Sequence, residues 1–477
     1  MQESRRAGKQ GDNSHNLKRQ LGLRDLVLTQ ILYVVGTAWV GTAAGLGRAE
    51  TTMWVAAMLL FNVPMAASVI GLNRVMPLEG GLYVWAREAF GDIGGFVTAW
   101  NIWVYGIVVT ATILYGTPTE LAYLLGPRAQ WLPENHLAST VIVSLLILAV
   151  MAVALRGLDL SKWIHNIGGA AILVVFTVLI LLPLWGWARG LPMHWEPLAV
   201  SMPKANLRSL ALFGQMMFGA LCGLEYVAIL AGECKDPART IGQSVWIAAP
   251  IICLMFVLGT GSVEAFVPMG HIDFIAPIPE TLRAALGNTG LGNVVAMVAI
   301  ALLEIRLLGA ASLVFTGVTR LPMTAGWDRL VPEWFARLHP KWRTPSNSIV
   351  FTTVLILGML LAASAGVHVQ EAFQLLTNAS LMHYAVAYLA MFAIPLVGMK
   401  SLCLKLPRWL KWTSAVGLAA TAYSMVIILY PFVQVVNARE YAMKIAGTLL
   451  VSNAVGLGFY VVRRLVLARE DREAART

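Results

Sequence analysis

The sequence predicts an all-α integral membrane protein of about twelve transmembrane helices, and three observations carry that prediction. Apolar residues make up 58% of the 477-residue chain and charged residues only 13%, about half the charge with which a water-soluble domain covers its surface. Runs of about 20 apolar residues, the length that crosses a hydrocarbon core of about 30 Å as a helix, recur along almost the whole chain. The charges behind the +10 net balance fall in short basic blocks between those runs. That pattern orients helices in a lipid bilayer and is not the basic face of a nucleic-acid-binding domain, so no nucleic-acid partner is expected.

The elements follow in order. A basic tail, residues 1–25, lacks the short apolar core and small-residue cleavage site of a removed leader, so the first run is expected to persist as a helix. Spans are expected over 26–47, 52–72, 94–125, 138–156, 164–187, 207–231, 244–266, 290–319, 347–365, 371–398, 410–431 and 444–465. Counted from a cytosolic N-terminus, most of the 35 Lys and Arg fall on the inner side. Both termini, including the tail 466–477, are therefore expected in the cytosol of a multi-pass protein of the cytoplasmic membrane. The four cysteines (Cys222, Cys234, Cys253, Cys403) show neither a disulfide framework nor metal-ligand spacing, and no metal or cofactor is expected.

Two spans carry small residues at their midpoints. The first reads Gly36-Thr37-Ala38-Trp39-Val40-Gly41 and the sixth Phe218-Gly219-Ala220-Leu221-Cys222-Gly223-Leu224-Glu225. Glycine tolerates dihedrals that a helix does not. Matched interruptions in two halves of a membrane chain point to a transporter built of inverted repeats, with its site at the bilayer midplane. Close helix packing through small residues is the competing reading.

Four stretches extend this reading. They are Leu21-Gly-Leu-Arg-Asp25 with Gly36-Thr37-Ala38; Met76-Pro77-Leu-Glu-Gly80-Gly81-Leu-Tyr83-Val-Trp85 with Ala89-Phe90-Gly91; Gly223-Leu-Glu225 with Glu233-Cys-Lys235-Asp236-Pro237; and Arg320-Leu-Pro with Asp328-Arg-Leu-Val-Pro332 and His339-Pro340-Lys-Trp-Arg-Thr344-Pro345. In that order and spacing, the chain resembles the amino acid-polyamine-organocation (APC) superfamily of permeases. The resemblance implies a leucine-transporter-like core over residues 26–398, with inverted repeats 26–187 and 207–398, helices one and six unwound, and two appended helices within 399–465. It implies secondary transport of an amino acid by alternating access, with a polyamine or other organic amine as the alternative cargo.

By position, the resemblance assigns the substrate carboxylate to the backbone of Gly36, Thr37 and Ala38, next to Trp39. It assigns the amine to Phe218, Gly219, Leu221, Cys222 and Gly223. Half-helix N-termini and freed carbonyls suit these charges on general grounds. Three departures bear on the assignment. Ala38 replaces a family glycine, the fifth span lacks the lysine that some members use for coupling, and Gly219 stands where arginine-exchanging relatives carry an aromatic, implying a wider cavity.

Charges within a bilayer are costly and usually functional. Glu225 is a candidate to meet a substrate amine or to titrate as a proton-coupling group, and Glu304 and Arg306 are coupling or gating candidates. The last two lie about 200° apart around one helix and cannot pair simply with each other. Sodium-coupled relatives of the fold place hydroxyl residues around the ion where Arg306 stands, so a fixed guanidinium implies sodium-independent transport. Arg306 paired with an acid on another helix is the structural alternative. Trp103, Tyr105, Asn378 and Tyr384 are vestibule candidates, since aromatics stack on cations, although aromatics also anchor helices at interfaces. No nucleotide-binding or hydrolytic motif is present, so no enzyme is expected. A substrate-sensing receptor or channel on the same fold is the more remote reading.

Overall fold

The computed structural model describes residues 21–76, 81–194, 199–322, 331–363, 369–398, 407–435 and 437–474. The predicted tail up to residue 20, the Pro77–Gly80 part of the second stretch and Asp328–Leu330 of the fourth lie outside these residues.

The first predicted span is two helices, α1 (Leu23–Val34) and α2 (Ala38–Ala44), bent by 51° across Val35–Thr37. Then come α3 (Gly47–Val75), α4 (Leu82–Tyr115), α5 (Thr117–Leu125), α6 (His136–Arg156) and α7 (Leu158–Arg189). The sixth predicted span begins as α8 (Leu207–Gln215), loosens into a π turn at Met216–Ala220 and resumes as a 3-10 helix over Leu224–Glu233. Beyond it lie α9 (Pro237–Phe266), the short α10 (Pro277–Leu286), α11 (Gly290–Val318), α12 (Ser346–Ala363), α13 (Val369–Val397), α14 (Arg408–Ile427) and α15 (Ala438–Ala474).

Nine helices among the described residues are long and apolar enough to cross a membrane, ten if α1 and α2 are one broken span. This is an all-helical, multi-pass membrane architecture. The predicted span 94–125 falls within one long helical segment. The chain is helical from Leu82 but kinks at Gly91 (φ +76°), just before the predicted start, and continues through Gly116, whose dihedrals stay helical, into α5; Pro118 sits in the first turn of α5, where its missing N–H is not needed.

Burial sorts the helices into centre and rim. In the segment 207–233, 94% of the most apolar window is buried inside the protein, against 22% in α6 and 11% in α15. The last two expose apolar residues around much of their circumference, including Leu137, Leu145, Leu450 and Val462, as suits helices solvated by lipid. Within the bundle α4 packs along α13 and α11 along α7, while α1 is held between α7 and α9. The interrupted segments are thus enclosed by long helices.

Candidate functional site

The two interruptions face each other. Past Val34 the chain leaves helical geometry at Val35, and Gly36 N–H turns back to the Val34 carbonyl at 2.9 Å. The amides of Thr37 and Ala38 find no acceptor among the described residues, as expected at the start of a new helix. On the other side Gly223 adopts φ +118°, a conformation that side chains rarely tolerate, and this ends the π turn. A Cβ at Gly223 would overlap the Tyr33 ring, and one at Gly219 would overlap the Trp39 indole. The expectation that Gly219 widens the cavity is therefore corrected, because Trp39 fills the space above it.

A cavity of about 130 Å³ lies between the breaks. Gly36, Thr37, Ala38 and Trp39 line one wall, Gly219 and Cys222 another, and Tyr105 and Arg306 contribute from α4 and α11. Phe218, Leu221 and Gly223 stand behind the second wall as buried backbone, outside the lining. The cavity also reaches Phe274 and Ile275 ahead of α10 and Phe432 and Val433 between α14 and α15.

Arg306 is 4% exposed, and its Nη2 donates to the Val35 carbonyl at 2.7 Å. One end of the first break is therefore fixed by a charge-assisted bond from α11, in place of the helical bond that the unwinding gives up. Glu120 on α5 lines the same cavity and lies within the electrostatic reach of Arg306. Glu304 is off the cavity wall but shares the field of Glu120.

Glu225 is also buried, at 3% exposure, and does not line the cavity. Its two carboxylate oxygens accept the hydroxyls of Tyr384 and Tyr388 from α13, while Tyr388 Oη accepts the Gly223 amide at 2.7 Å. Tyr33 Oη donates to Tyr384 Oη at 3.2 Å and lies 3.1 Å from Tyr105 Oη, whose hydroxyl it can accept, and the Tyr105 and Tyr384 rings stack at 3.8 Å. This relay ties the carboxylate to the cavity wall through tyrosines. Asn378 and Trp103 are elsewhere: Asn378 Nδ2 donates to Ile428 O and Tyr441 Oη, and Trp103 Nε1 to Thr352 Oγ1. Both side chains join helices to each other and are absent from the cavity wall.

The sequence profile described as amino acid permease matches residues 22–452, and that range takes in both breaks and the whole cavity. The chain belongs to the amino acid permease family. It is 25% identical over 391 residues to an uncharacterized transporter of Legionella pneumophila, covering 79% of this chain and 80% of that one. It is 22% identical to the branched-chain amino acid permease BcaP of Bacillus subtilis and 21% identical to the methylthioribose transporter of the same species, in each case over 72% of this chain and 75% of the relative. The family and these relatives are transporters, not enzymes.

The end of the permease that carries Leu21 is tied together by polar contacts. Arg320 Nη2 meets Glu233 Oε1 at 2.8 Å in a buried ion pair, and Leu21 N–H donates to the Glu233 carbonyl at 3.0 Å while Lys235 N–H returns to the Leu21 carbonyl at 3.1 Å. Lys162 pairs with Asp25 at 3.0 Å, and Asn166 Nδ2 donates to the same carboxylate at 2.9 Å. Breaking a buried pair by removing one partner costs about 3–5 kcal/mol, so Arg320→Ala is expected to open this end. In a background where Cys222 is the single remaining thiol, a membrane-impermeant thiol reagent applied from the Leu21 side should then label Cys222 faster than in the parent. Equal labelling rates would mean that the pair does not hold the closure.

Sequence reasoning missed Glu120, Tyr33 and Tyr388. Glu120 carried a readable signal, an acid inside an apolar run. The tyrosines carried none, because their partners lie 72 to 351 residues away along the chain.

Proposed function

We propose that this permease is a secondary active carrier that moves an amino acid across the cytoplasmic membrane by alternating access, as a symporter or an exchanger, without sodium. The observation that carries this reading is the pair of opposed breaks on one cavity. Free amides at Thr37 and Ala38 suit a carboxylate, and backbone carbonyls on the wall formed by Gly219 and Cys222 suit an amine, the two charges that a zwitterion carries. The name of the branched-chain relative agrees with such a cargo.

In this reading α12 and α14 complete twelve crossings, residues 26–187 and 207–398 form inverted repeats, and both termini lie in the cytosol. The Leu21 end is then the closed cytosolic gate of a state whose cavity extends toward the other side. Glu225, Glu304 and Arg306 act as gating or coupling groups, with the proton as the candidate coupling ion. Sodium independence rests on Arg306, whose guanidinium already supplies a positive charge and a donor to the Val35 carbonyl. Uptake should be unchanged when sodium is replaced by choline at constant pH, and a collapse of uptake would overturn that part.

The test of the whole reading is counterflow in proteoliposomes preloaded with single amino acids. Saturable exchange of at least one amino acid is the expected result. A polyamine or other organic amine is the second reading, in which the acid for its amine would be Glu120 on the cavity wall. Exchange confined to putrescine or another carboxylate-free amine would select it. Failure of every amine and amino acid to exchange would turn attention to a receptor or channel role.

A further inference from the structure

Four polar side chains that the backbone breaks do not explain converge on the cavity from four separate elements. They are Gln215 at the end of α8, Gln374 on α13, Glu120 on α5 and Arg306 on α11. All four are buried, at 1%, 4%, 1% and 4% exposure respectively. Each has a buried atom without a hydrogen-bond partner: Gln215 Nε2, both Nε2 and Oε1 of Gln374, Glu120 Oε2 and Arg306 Nε. Buried polar atoms are normally satisfied, and leaving one unmet is costly. These five atoms belong to side chains that line one cavity from four different helices, and small rotations of those side chains would turn them toward a polar guest.

We infer that the amino acid carried by this permease has a neutral side chain bearing both a hydrogen-bond donor and an acceptor, a carboxamide or a hydroxyl, read by Gln215 and Gln374. The inference rests on the amino acid reading above and sharpens it. The two glutamine amides and Arg306 Nε offer donors, whereas Gln374 Oε1 and Glu120 Oε2 offer acceptors, so the guest must present both kinds of group. The single positive charge of Arg306 and the single negative charge of Glu120 balance within the same cavity, which disfavours a charged side chain of either sign. An aliphatic side chain would leave these atoms unmet, and sites built to hydrogen-bond a substrate reject analogues that lack the group. Val109, Ile113 and Leu307 on the same wall leave room for the methylenes of such a side chain.

The experiment is counterflow in proteoliposomes with glutamine, asparagine, serine and threonine set against leucine, valine, arginine and glutamate. Exchange of one or more of the first group, with leucine and valine failing to compete, is expected. Gln374→Leu and Gln215→Leu should each raise the half-saturating concentration of that polar substrate by on the order of tenfold, while Gln374→Asn, which keeps the amide, should lose less. Thermal melting of the unmodified protein gives an independent reading free of variant folding: the polar amino acids should raise the melting temperature and leucine should not. Preferential exchange of leucine or valine would overturn the inference while leaving the amino acid carrier intact. Failure of all amino acids would bring down both.

Discussion

Arg306→Ala is expected to reduce counterflow by roughly 100-fold. A hydrogen bond to a charged group is worth about 1.5–3 kcal/mol, and the one from Arg306 to Val35 is the contact that ties α11 to the first break. Its loss leaves a buried carbonyl unmet at the point where α1 already forgoes helical bonding. It also leaves Glu120 on the cavity wall without the positive charge that acts on it, a further cost beyond the hydrogen bond. The hydrogen-bond cost at the upper end of its range, with that further cost, reaches the roughly 2.8 kcal/mol that corresponds to two decades in rate. Arg306→Lys keeps the charge but not the planar, forked donor set, and should recover part of the rate. Initial rates on protein that remains monodisperse decide the matter, and an alanine variant retaining half the parental rate would remove Arg306 from the machinery.

The second large effect is expected at Glu225. Glu225→Leu deprives two buried tyrosine hydroxyls, those of Tyr384 and Tyr388, of their acceptor at about 1–3 kcal/mol each. That is a large part of the 5–15 kcal/mol that separates folded from unfolded states in a typical protein, so a clear fall in melting temperature should accompany the loss of transport. Glu225→Gln restores one acceptor but turns an NH₂ group toward the other hydroxyl. It should preserve the fold and slow exchange. Because Glu225 acts on the cavity through Tyr384, Tyr33 and Tyr105, the Gln variant should scale all substrates alike. A change in substrate preference, measured as a ratio of exchange rates for two amino acids, would instead place Glu225 in direct contact with the cargo during the cycle.

These residues also show how far the chain could be read from its letters. The first and sixth interruptions were legible because glycines stood at mid-span, where an apolar helix has no other use for flexible backbone. Glu225, Glu304 and Arg306 were legible because charge inside an apolar run is conspicuous. Glu120 was as conspicuous in principle, an acid inside the span read over 94–125, but only the assembled cavity shows that it reaches the wall. Gln215 and Gln374 left no mark, since neutral amides are ordinary on helices and only the assembled cavity shows their unmet atoms. Asn378 and Trp103 illustrate the converse. Polar and aromatic tips suited to a ligand serve equally well to join helices, and the choice depends on which way each helix is turned.

The bonding of Leu21 to Glu233 and Lys235 has a practical side. Under the proposed alternating access, anything fused ahead of residue 21 lies beside a strip of backbone that detaches when that end opens. An affinity tag or fluorescent protein placed there would act as a brake or a lever on turnover. The rim helix α15, little of which is buried, offers a quieter attachment point at the other end of the chain, so turnover numbers from differently tagged preparations should be compared only after the tag is cut away.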